Sequence, residues 1–216
     1  MIRLLLVDDH AAIRQGLRFL LEQNADIRVI GEAGSGREAR SATLRLQPDL
    51  ILLDLRLPDA TPEELCPELR ELSQHSKILI LSGVEDADPV YRAIDAGIDG
   101  YALKASDSAE LVIAIRQVMT GNSYLHPTIT RLILHRAGKA RTSDKHPHTT
   151  SPNLTKRQHQ VLMLMACTAT NRDIAKRLVV SEETVRSHVK GVLRKLGQSN
   201  RTQAVLEAVR LGIIKV

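Results

Sequence analysis

Short apolar runs alternate with helix-like repeats along residues 1–121. Each run ends in polar or turn residues, which predicts buried strands of four to six residues. Between the runs, apolar residues recur three or four positions apart, which is the spacing of a helix with one buried face. The predicted strands are Ile2–Val7, Arg28–Ala33, Leu50–Asp54, Lys77–Ser82 and Gly100–Leu103.

The segments between these strands predict five helices. The first buries Ile13, Leu17, Leu20 and Leu21; the second is Gly36–Leu46, ended by Gln47-Pro48; the last is Ser108–Thr120, with Leu111, Ile115, Val118 and Met119 inward. Pro67 would cost the third helix a backbone hydrogen bond unless it lies in the first turn, so we expect that helix to begin near Cys66. Alternating strands and helices with right-handed crossovers predict a doubly wound parallel sheet, a flavodoxin-like α/β domain.

The rest of the chain lacks strand patterns. Tyr124–Ala137 can form a helix after Pro127, and residues 138–153 are polar and basic without periodicity, which predicts a flexible tether. Its histidines (His135, His146 and His148) are interpreted as solvated linker residues. Residues 154–216 predict a small all-α domain of four helices, with Thr155 and Ser181 as N-caps and helices at Asn171–Leu178, Glu182–Leu196 and Arg201–Leu211.

Charge divides the chain more sharply than composition does. The 216 residues are 43% hydrophobic and 25% charged, as in an ordinary folded protein. Residues 1–121 hold 13 Lys+Arg against 20 Asp+Glu, whereas residues 153–216 hold 12 against 4. An acidic first part and a basic last part are typical of a sensor joined to a nucleic-acid binder, although a solvated basic face is the plainer alternative.

Cysteine usage and hydropathy indicate the compartment. Cys66 and Cys167 lie far apart and lack the spacing of metal ligands, so we expect reduced, buried thiols in a cytoplasmic protein. The longest apolar run, from Val161 to Cys167, has seven residues. That length predicts no membrane span, and we expect no signal peptide because the first residues lack a basic region followed by a long apolar stretch.

Acidic residues end two of the predicted strands. Asp8 and Asp9 follow the first strand, and Asp54 ends the third. In an open parallel sheet these ends share the edge where ligands bind. Three carboxylates there would retain a proton unless a cation lies between them, and oxygen ligands favour Mg²⁺. We therefore predict a magnesium site and Asp54 as acceptor of a phosphoryl group.

Two further polar residues reach the same edge. Ser82 ends the fourth strand and Lys104 follows the fifth. A hydroxyl can hydrogen-bond a phosphoryl oxygen, and an ammonium can offset the carboxylates or pair with phosphate. Each residue alone is more simply explained as a turn or cap residue; five of them in order at strand ends favour the chemistry.

The helix Glu182–Leu196 carries a basic row opposite an apolar one. Val185, Val189, Val192 and Leu196 form the apolar stripe, and Arg186, Lys190 and Arg194 repeat every four residues on the other side. A valine-anchored helix presenting cations suits the major groove of DNA, while a solvated amphipathic helix would look similar.

The first of these patterns resembles a known signalling domain. Asp8-Asp9, Asp54, Pro58, Ser82, Tyr101 and Lys104 resemble the signature of the response-regulator receiver domain of two-component signalling, over residues 1–121. The resemblance implies that a sensor histidine kinase phosphorylates Asp54. It implies Mg²⁺ contacts from Asp9, Asp54 and the Arg56 main-chain carbonyl, with Asp8 assisting through water. Ser82 and Tyr101 would be the switch pair, and the usual glycine after the proline is missing from Pro58-Asp59-Ala60-Thr61-Pro62.

The C-terminal residues resemble a second family. Leu154-Thr155-Lys156-Arg157, Ser181-Glu182-Glu183-Thr184-Val185-Arg186-Ser187-His188 and Arg201-Thr202-Gln203-Ala204 resemble the LuxR/NarL helix-turn-helix, over residues 154–216. The resemblance implies DNA binding through Arg186, Ser187 and Lys190, phosphate contacts from Thr184 and Lys195, and a dimer interface on the final helix. Gln158 and Thr168 stand where that family usually has an acid and a glycine.

Together these patterns predict a cytoplasmic transcriptional regulator of the NarL/FixJ class. We expect a receiver (1–121), a linker (122–153) and a DNA-binding domain (154–216), with phosphorylation favouring a homodimer on paired half-sites. Two alternatives stay open. One is an aspartyl-phosphate phosphatase, although such enzymes usually have an acid where Arg56 stands. The other is a DNA-binding regulator whose receiver only dimerises, without phosphorylation.

Overall fold

The computed structural model describes residues 1–83, 87–130, 133, 153–166 and 170–214. The chain divides into two compact units, the first formed by Met1–Thr120 with Tyr124–Ile129 and the second by Gly121–Ser123 with Thr130–Val216. Among the described residues, no helix has the length and apolarity needed to cross a lipid bilayer. The predicted tether, its histidines, Cys167 and Thr168 lie outside the described residues, except Asn153.

The first unit is built on a parallel sheet of six strands in the order β2-β1-β3-β4-β5-β6. Helices α1 and α5 pack together beside it, and α2, α3 and α4 pack in sequence. The elements are β1 (Ile2–Val7), α1 (Ala11–Glu22), β2 (Ile27–Ala33), α2 (Gly36–Leu46), β3 (Leu50–Asp54), α3 (Pro62–Leu72), β4 (Lys77–Ser82), α4 (Ala87–Asp95), β5 (Gly100–Leu103), α5 (Ser108–Met119) and β6 (Tyr124–Leu125). The doubly wound α/β architecture is confirmed.

The core of this unit explains why the strand prediction succeeded. Every residue of β3 and β5 is buried, as expected for central strands covered on both faces. Strand β2 begins at Ile27, one residue earlier than predicted. The prediction that Leu20 faces inward is wrong, because its side chain is 44% exposed, whereas Leu21 is buried.

Helix α3 begins at Pro62, so the expected start near Cys66 is wrong. Thr61 precedes Pro62, and its backbone N–H donates to the Glu64 carboxylate at 3.2 Å, which defines the helix start. Pro67 lies inside the helix on the exposed side, where water can satisfy the carbonyl that loses its partner.

A sixth strand was not predicted. Tyr124 and Leu125 pair in parallel with Gly100 and Tyr101, and residues 127–130 are helical after it. Gly100 makes the pairing possible, because a Cβ there would lie 3.0 Å from the Tyr124 carbonyl oxygen.

The second unit contains four described helices: α6 (Lys156–Ala166), α7 (Asn171–Leu178), α8 (Glu182–Leu196) and α9 (Arg201–Arg210). The side chains of Thr170, Ser181 and Asn200 cap α7, α8 and α9 by accepting backbone N–H groups. One aliphatic core joins all four helices. The predicted α7 and α8 are confirmed residue for residue.

Candidate functional site

Acidic side chains meet at the carboxyl edge of the sheet. Asp8 follows β1 and Asp54 ends β3, and β1 and β3 are neighbours, so both carboxylates reach the same place. Both are buried, whereas Asp9 is exposed. One ligand atom from each of Asp8, Asp9, His10 and Asp54 lies within 4.8 Å of the others. The predicted convergence of the three carboxylates is therefore observed.

Lys104 bridges the two buried acids. It follows β5, and its Nζ donates to Asp8 Oδ2 at 2.6 Å and to Asp54 Oδ2 at 2.9 Å. The backbone N–H of Lys104 donates to the Ser82 carbonyl at 2.8 Å, which holds the residue beside the end of β4. The ammonium thus occupies the position expected from its place after the fifth strand.

Burial and charge oppose each other at Asp54. Burial raises the pKa of the Asp54 carboxyl, and the ammonium of Lys104 and the backbone N–H of Arg56 offset only part of that rise. Burial alone would lower the pKa of Lys104, but its hydrogen bonds to Asp8 and Asp54 outweigh this and raise it. An additional cation beside Asp54 would therefore favour its ionised form.

The donor set fits a hard divalent cation. Asp8, Asp9 and Asp54 offer carboxylate oxygens, and the exposure of Asp9 leaves a side open for water ligands. Mg²⁺ prefers oxygen ligands and retains several waters, so these residues suit it. The imidazole of His10 suits a transition metal better, and its Nδ1 lies 2.6 Å from Asp9 Oδ1.

The other predicted site residues of this unit lie close by. Ser82 is buried at the end of β4, in register with Leu103 of β5. Tyr101 is fully buried in β5. Arg56 is exposed just after β3 and contributes its backbone N–H to the Asp54 carboxylate.

Two residues near the acids were missed in the sequence. Arg14 of α1 donates from Nη1 to the Asp8 carbonyl at 2.6 Å and pairs with Glu32 of β2 at 3.2 Å. His10 donates its backbone N–H to Asp8 Oδ1 at 2.8 Å. The arginine falls one helical turn into α1, a spacing that points back to the strand end and could have signalled the contact.

The unusual loop after Asp54 is anchored by Asp59. Its carboxylate accepts the N–H groups of Gly36 at 2.6 Å and Arg37 at 3.1 Å, at the start of α2. These hydrogen bonds lower the pKa of the Asp59 carboxyl. A Cβ on Gly36 would lie 2.6 Å from the Ala60 Cβ, so glycine there permits the close approach. The loop that lacks the usual glycine after Pro58 is thus held against the start of α2 by the hydrogen bonds of Asp59.

Strand β6 is the edge strand of the sheet and pairs with β5, the strand that contains Tyr101. The backbone N–H of His126 donates to the Tyr101 carbonyl at 3.0 Å. Tyr124 Oη donates to Glu110 Oε1 of α5 at 2.7 Å, and burial and this carboxylate raise the pKa of Tyr124 well above its usual range. The chain therefore leaves the first unit in direct contact with the strand that carries Tyr101.

The second unit presents the predicted basic face. The valines of α8 and Leu196 are buried, and the side opposite them is exposed. Arg186 pairs with Glu183 at 3.4 Å, and Lys195 Nζ donates to the Asn153 carbonyl and to Gln158. All five predicted nucleic-acid contacts are exposed on α8: Thr184, Arg186, Ser187, Lys190 and Lys195.

Comparisons with known proteins match both units. Residues 4–116 match the family described as response regulator receiver domain, and residues 152–208 match bacterial regulatory proteins of the luxR family. The chain is 39% identical over 211 residues to the transcriptional regulatory protein LiaR of Bacillus subtilis (strain 168), covering 97% of this chain and 98% of LiaR.

Two further likenesses cover nearly the whole chain. It is 35% identical over 214 residues to the response regulator protein VraR of Staphylococcus aureus (strain NCTC 8325 / PS 47), covering 99% of each chain. The crystal structure of the response regulator ChrA, from a heme-sensing two-component system, matches with a TM-score of 0.53 and 29% identity, covering 99% of this chain and 98% of ChrA.

Proposed function

The chain belongs to the DNA-binding transcriptional response regulators of two-component systems, with a receiver domain and a luxR-type domain, and we propose that phosphorylation of Asp54 switches its binding to DNA. The protein is a regulator of transcription and not an enzyme. Its receiver implies a cognate kinase. We propose that this partner is a sensor histidine kinase that donates from a phosphohistidine.

The observation that carries the proposal is the bridging of Asp8 and Asp54 by Lys104. In the transfer, an Asp54 carboxylate oxygen forms the bond to phosphorus while the bond from phosphorus to the histidine nitrogen breaks. The product carries close to two negative charges. Lys104 then gains a phosphoryl partner beside Asp54, which is a contact present in only one of the two states.

Mg²⁺ would be held by the carboxylates of Asp9 and Asp54 and by the Arg56 carbonyl, with Asp8 assisting through water, and when bound it would supply positive charge against the phosphoryl oxygens. Asp9 offers an exposed carboxylate, and Asp8 is fixed by Arg14, His10 and Lys104. The receiver pocket has the acidic character typical of magnesium sites.

Ser82 and Tyr101 change conformation in response to phosphorylation of Asp54. The Ser82 hydroxyl moves toward the phosphoryl group, and the Tyr101 ring follows it. Because β6 pairs with β5 at Tyr101, a shift of β5 also moves the segment through which the chain leaves the receiver. We assign the receiver to residues 1–121 and the linker to 122–153, with Tyr124–Ile129 of the linker staying against the receiver.

DNA is bound by the domain at 154–216. Helix α8 enters the major groove with Arg186, Ser187 and Lys190 facing base edges, and Thr184 and Lys195 contact phosphates. The active form is a homodimer on paired half-sites about one DNA turn apart, with α9 in the dimer interface. We place the protein in the cytoplasm, where its DNA target and the kinase's phosphoryl donor both occur.

Acetyl phosphate with Mg²⁺ tests the switch on the full chain. Wild type should acquire one phosphoryl group by intact mass, form a dimer by light scattering and bind DNA more tightly. Asp54→Asn should do none of these, because an amide cannot accept the group. Asp26→Asn is the control, since Asp26 pairs on the surface with Arg116 and should behave as wild type.

The alternative regulator, with a receiver that only dimerises, predicts a different result. It requires wild type and Asp54→Asn to bind DNA equally, with and without acetyl phosphate. That outcome would refute the phosphorylation switch while leaving DNA binding intact.

A further inference from the structure

Lys195, in the last turn of α8, is held by two neutral acceptors. Its Nζ donates to the Asn153 carbonyl at 2.7 Å and to Gln158 Oε1 at 2.9 Å. An ammonium has three N–H donors, so one remains for another acceptor. Because neither partner carries charge, the ammonium keeps its full positive charge.

Gln158 is itself fixed in place. Its backbone N–H donates to Thr155 Oγ1 at 3.2 Å, and its side-chain oxygen accepts the Thr155 N–H at 3.0 Å, which is a capping box at the start of α6. A Cβ on Gly191 would lie 2.6 Å from Gln158 Nε2, so the glycine leaves room for the amide against α8. The position of the Lys195 ammonium is therefore set by α6.

Three of the four acidic side chains in the described part of this unit have partners elsewhere, and the fourth, Glu182, lies in the first turn of α8, at the opposite end from Lys195. Asp173 accepts from Thr170, Glu183 pairs with Arg186, and Glu207 pairs with Arg210. The first turn of α6 contains no acidic residue. A glutamate at position 158 would cap α6 equally well, but it would form an ion pair with Lys195. With an amide at position 158, no negative charge next to the Lys195 ammonium offsets its positive charge.

We propose that Gln158 is a positioning residue for DNA binding, which holds the Lys195 ammonium in place for one backbone phosphate without neutralising it. The inference rests on the proposed DNA-binding function and names one determinant of its affinity. Each phosphate neutralised by a cation releases counterions, which steepens the dependence of log K on log salt by about 0.9. A lysine already paired with a carboxylate loses this contribution.

The test compares two glutamate substitutions on the same helix. Gln158→Glu adds a carboxylate next to Lys195, and Gln160→Glu adds the same charge beside Arg157, whose Nη1 donates to Gln160 at 3.1 Å. Wild type and both full-length variants, each phosphorylated with acetyl phosphate and Mg²⁺, are titrated onto a fluorescent DNA duplex of mixed sequence, about 30 base pairs long, between about 50 and 200 mM KCl. Fluorescence anisotropy gives the affinity and its salt slope.

Gln158→Glu should weaken binding about five-fold at mid-range salt and flatten the slope by about 0.9. Gln160→Glu should change affinity less than about two-fold and leave the slope as in wild type. Gln158→Ala, which removes the anchor but not the charge, should weaken binding without flattening the slope. The loss of the cap alone would affect thermal unfolding and not the number of ions released.

The double variant with Lys195→Met completes a double-mutant cycle, which isolates the coupling between positions 158 and 195 in the DNA affinity. In the Lys195→Met background, Gln158→Glu should have no further effect, because its partner is gone. Equal losses from Gln158→Glu and Gln160→Glu, or an undiminished loss in the Lys195→Met background, would overturn the inference. Failure of wild type to bind the duplex would instead overturn the proposed DNA binding.

Discussion

Replacing Lys104 by methionine should destabilise the receiver by removing the only cation that contacts both Asp8 and Asp54 among the described residues. At about 4 Å and an effective dielectric constant of about 20, each such attraction amounts to about 4 kcal/mol. Repulsion between the carboxylates and the cost of burying the ammonium reduce the net value. Removing one partner of a buried pair typically costs about 3–5 kcal/mol.

The structure argues for a value below that range. The Lys104 side chain is 23% exposed, so water already screens part of the attraction. Asp54 can also take up a proton once the ammonium is gone. We therefore expect a loss of about 2 kcal/mol at pH 8, or about 6 °C in the melting temperature of a unit of this size. Scanning calorimetry, which resolves separate transitions, is the assay.

The loss of stability in Lys104→Met should increase as the pH rises. Burial raises the pKa of Asp54, and Lys104 counteracts it, so the variant has a still higher Asp54 pKa. A carboxyl whose folded pKa exceeds its unfolded value favours folding below the unfolded pKa, near 3.9, and loses that contribution as pH rises through the folded pKa. The deficit should therefore be small at the acid end and grow toward neutral pH.

Mg²⁺ provides the internal control. A bound divalent cation replaces the missing charge, so Mg²⁺ should raise the melting temperature of Lys104→Met more than that of wild type. Lys77→Met removes an ammonium that lies 3.0 Å from Asp99, and Mg²⁺ should not relieve its deficit. A Lys104→Met deficit that is the same at acid and neutral pH, or that ignores Mg²⁺, would refute the electrostatic account.

Three further predictions concern other parts of the molecule. Asp99→Ala should lower the free energy of unfolding in urea by about 2 kcal/mol, because the buried carboxylate accepts hydrogen bonds from Arg70 and Lys77. An unchanged free energy of unfolding would show that these ion pairs do not stabilise the fold. Val179→Asn should raise the free energy of unfolding by about 1 kcal/mol, because Val179 is 90% exposed and has a φ of 54°, a backbone conformation that asparagine tolerates. A lower free energy of unfolding would mean that the valine is not strained. Burial raises the pKa of Cys66 to about 12, so iodoacetamide at pH 8 should label it only in urea, as peptide mapping would report.

The sequence predicted the acidic site well because the site depends on strand order alone. Apolar runs located β1, β3, β4 and β5, and parallel pairing brings their carboxyl ends to one edge. That Asp8, Asp54 and Lys104 lie at the same edge of the sheet could therefore be predicted, although their hydrogen bonds could not. Helix α8 was equally predictable, because its valine stripe repeats at the helical period and alone specifies which side is buried.

Helix starts and side-chain faces at the margins were less predictable. Pro67 does not mark the start of α3, because an exposed proline inside the helix costs less free energy than the helix gains from beginning at Thr61 and Pro62. The inward placement of Leu20 failed because helical periodicity alone does not specify how wide the buried face of α1 is. Both errors concern the balance between local and tertiary energies.

By itself, the sequence determined the order of the elements from β1 to α5 and from α6 to α9, the polar residues at the ends of β1, β3, β4 and β5, and the charge of each half. Only the tertiary structure decided which polar groups pair: Lys104 with Asp8 and Asp54, Asp59 with the start of α2, and Gln158 with Lys195. These partners are separated by 22 to 96 positions along the chain. Periodicity carries no information over such distances, because hydrogen bonds depend on angstrom-scale register between elements that only packing sets.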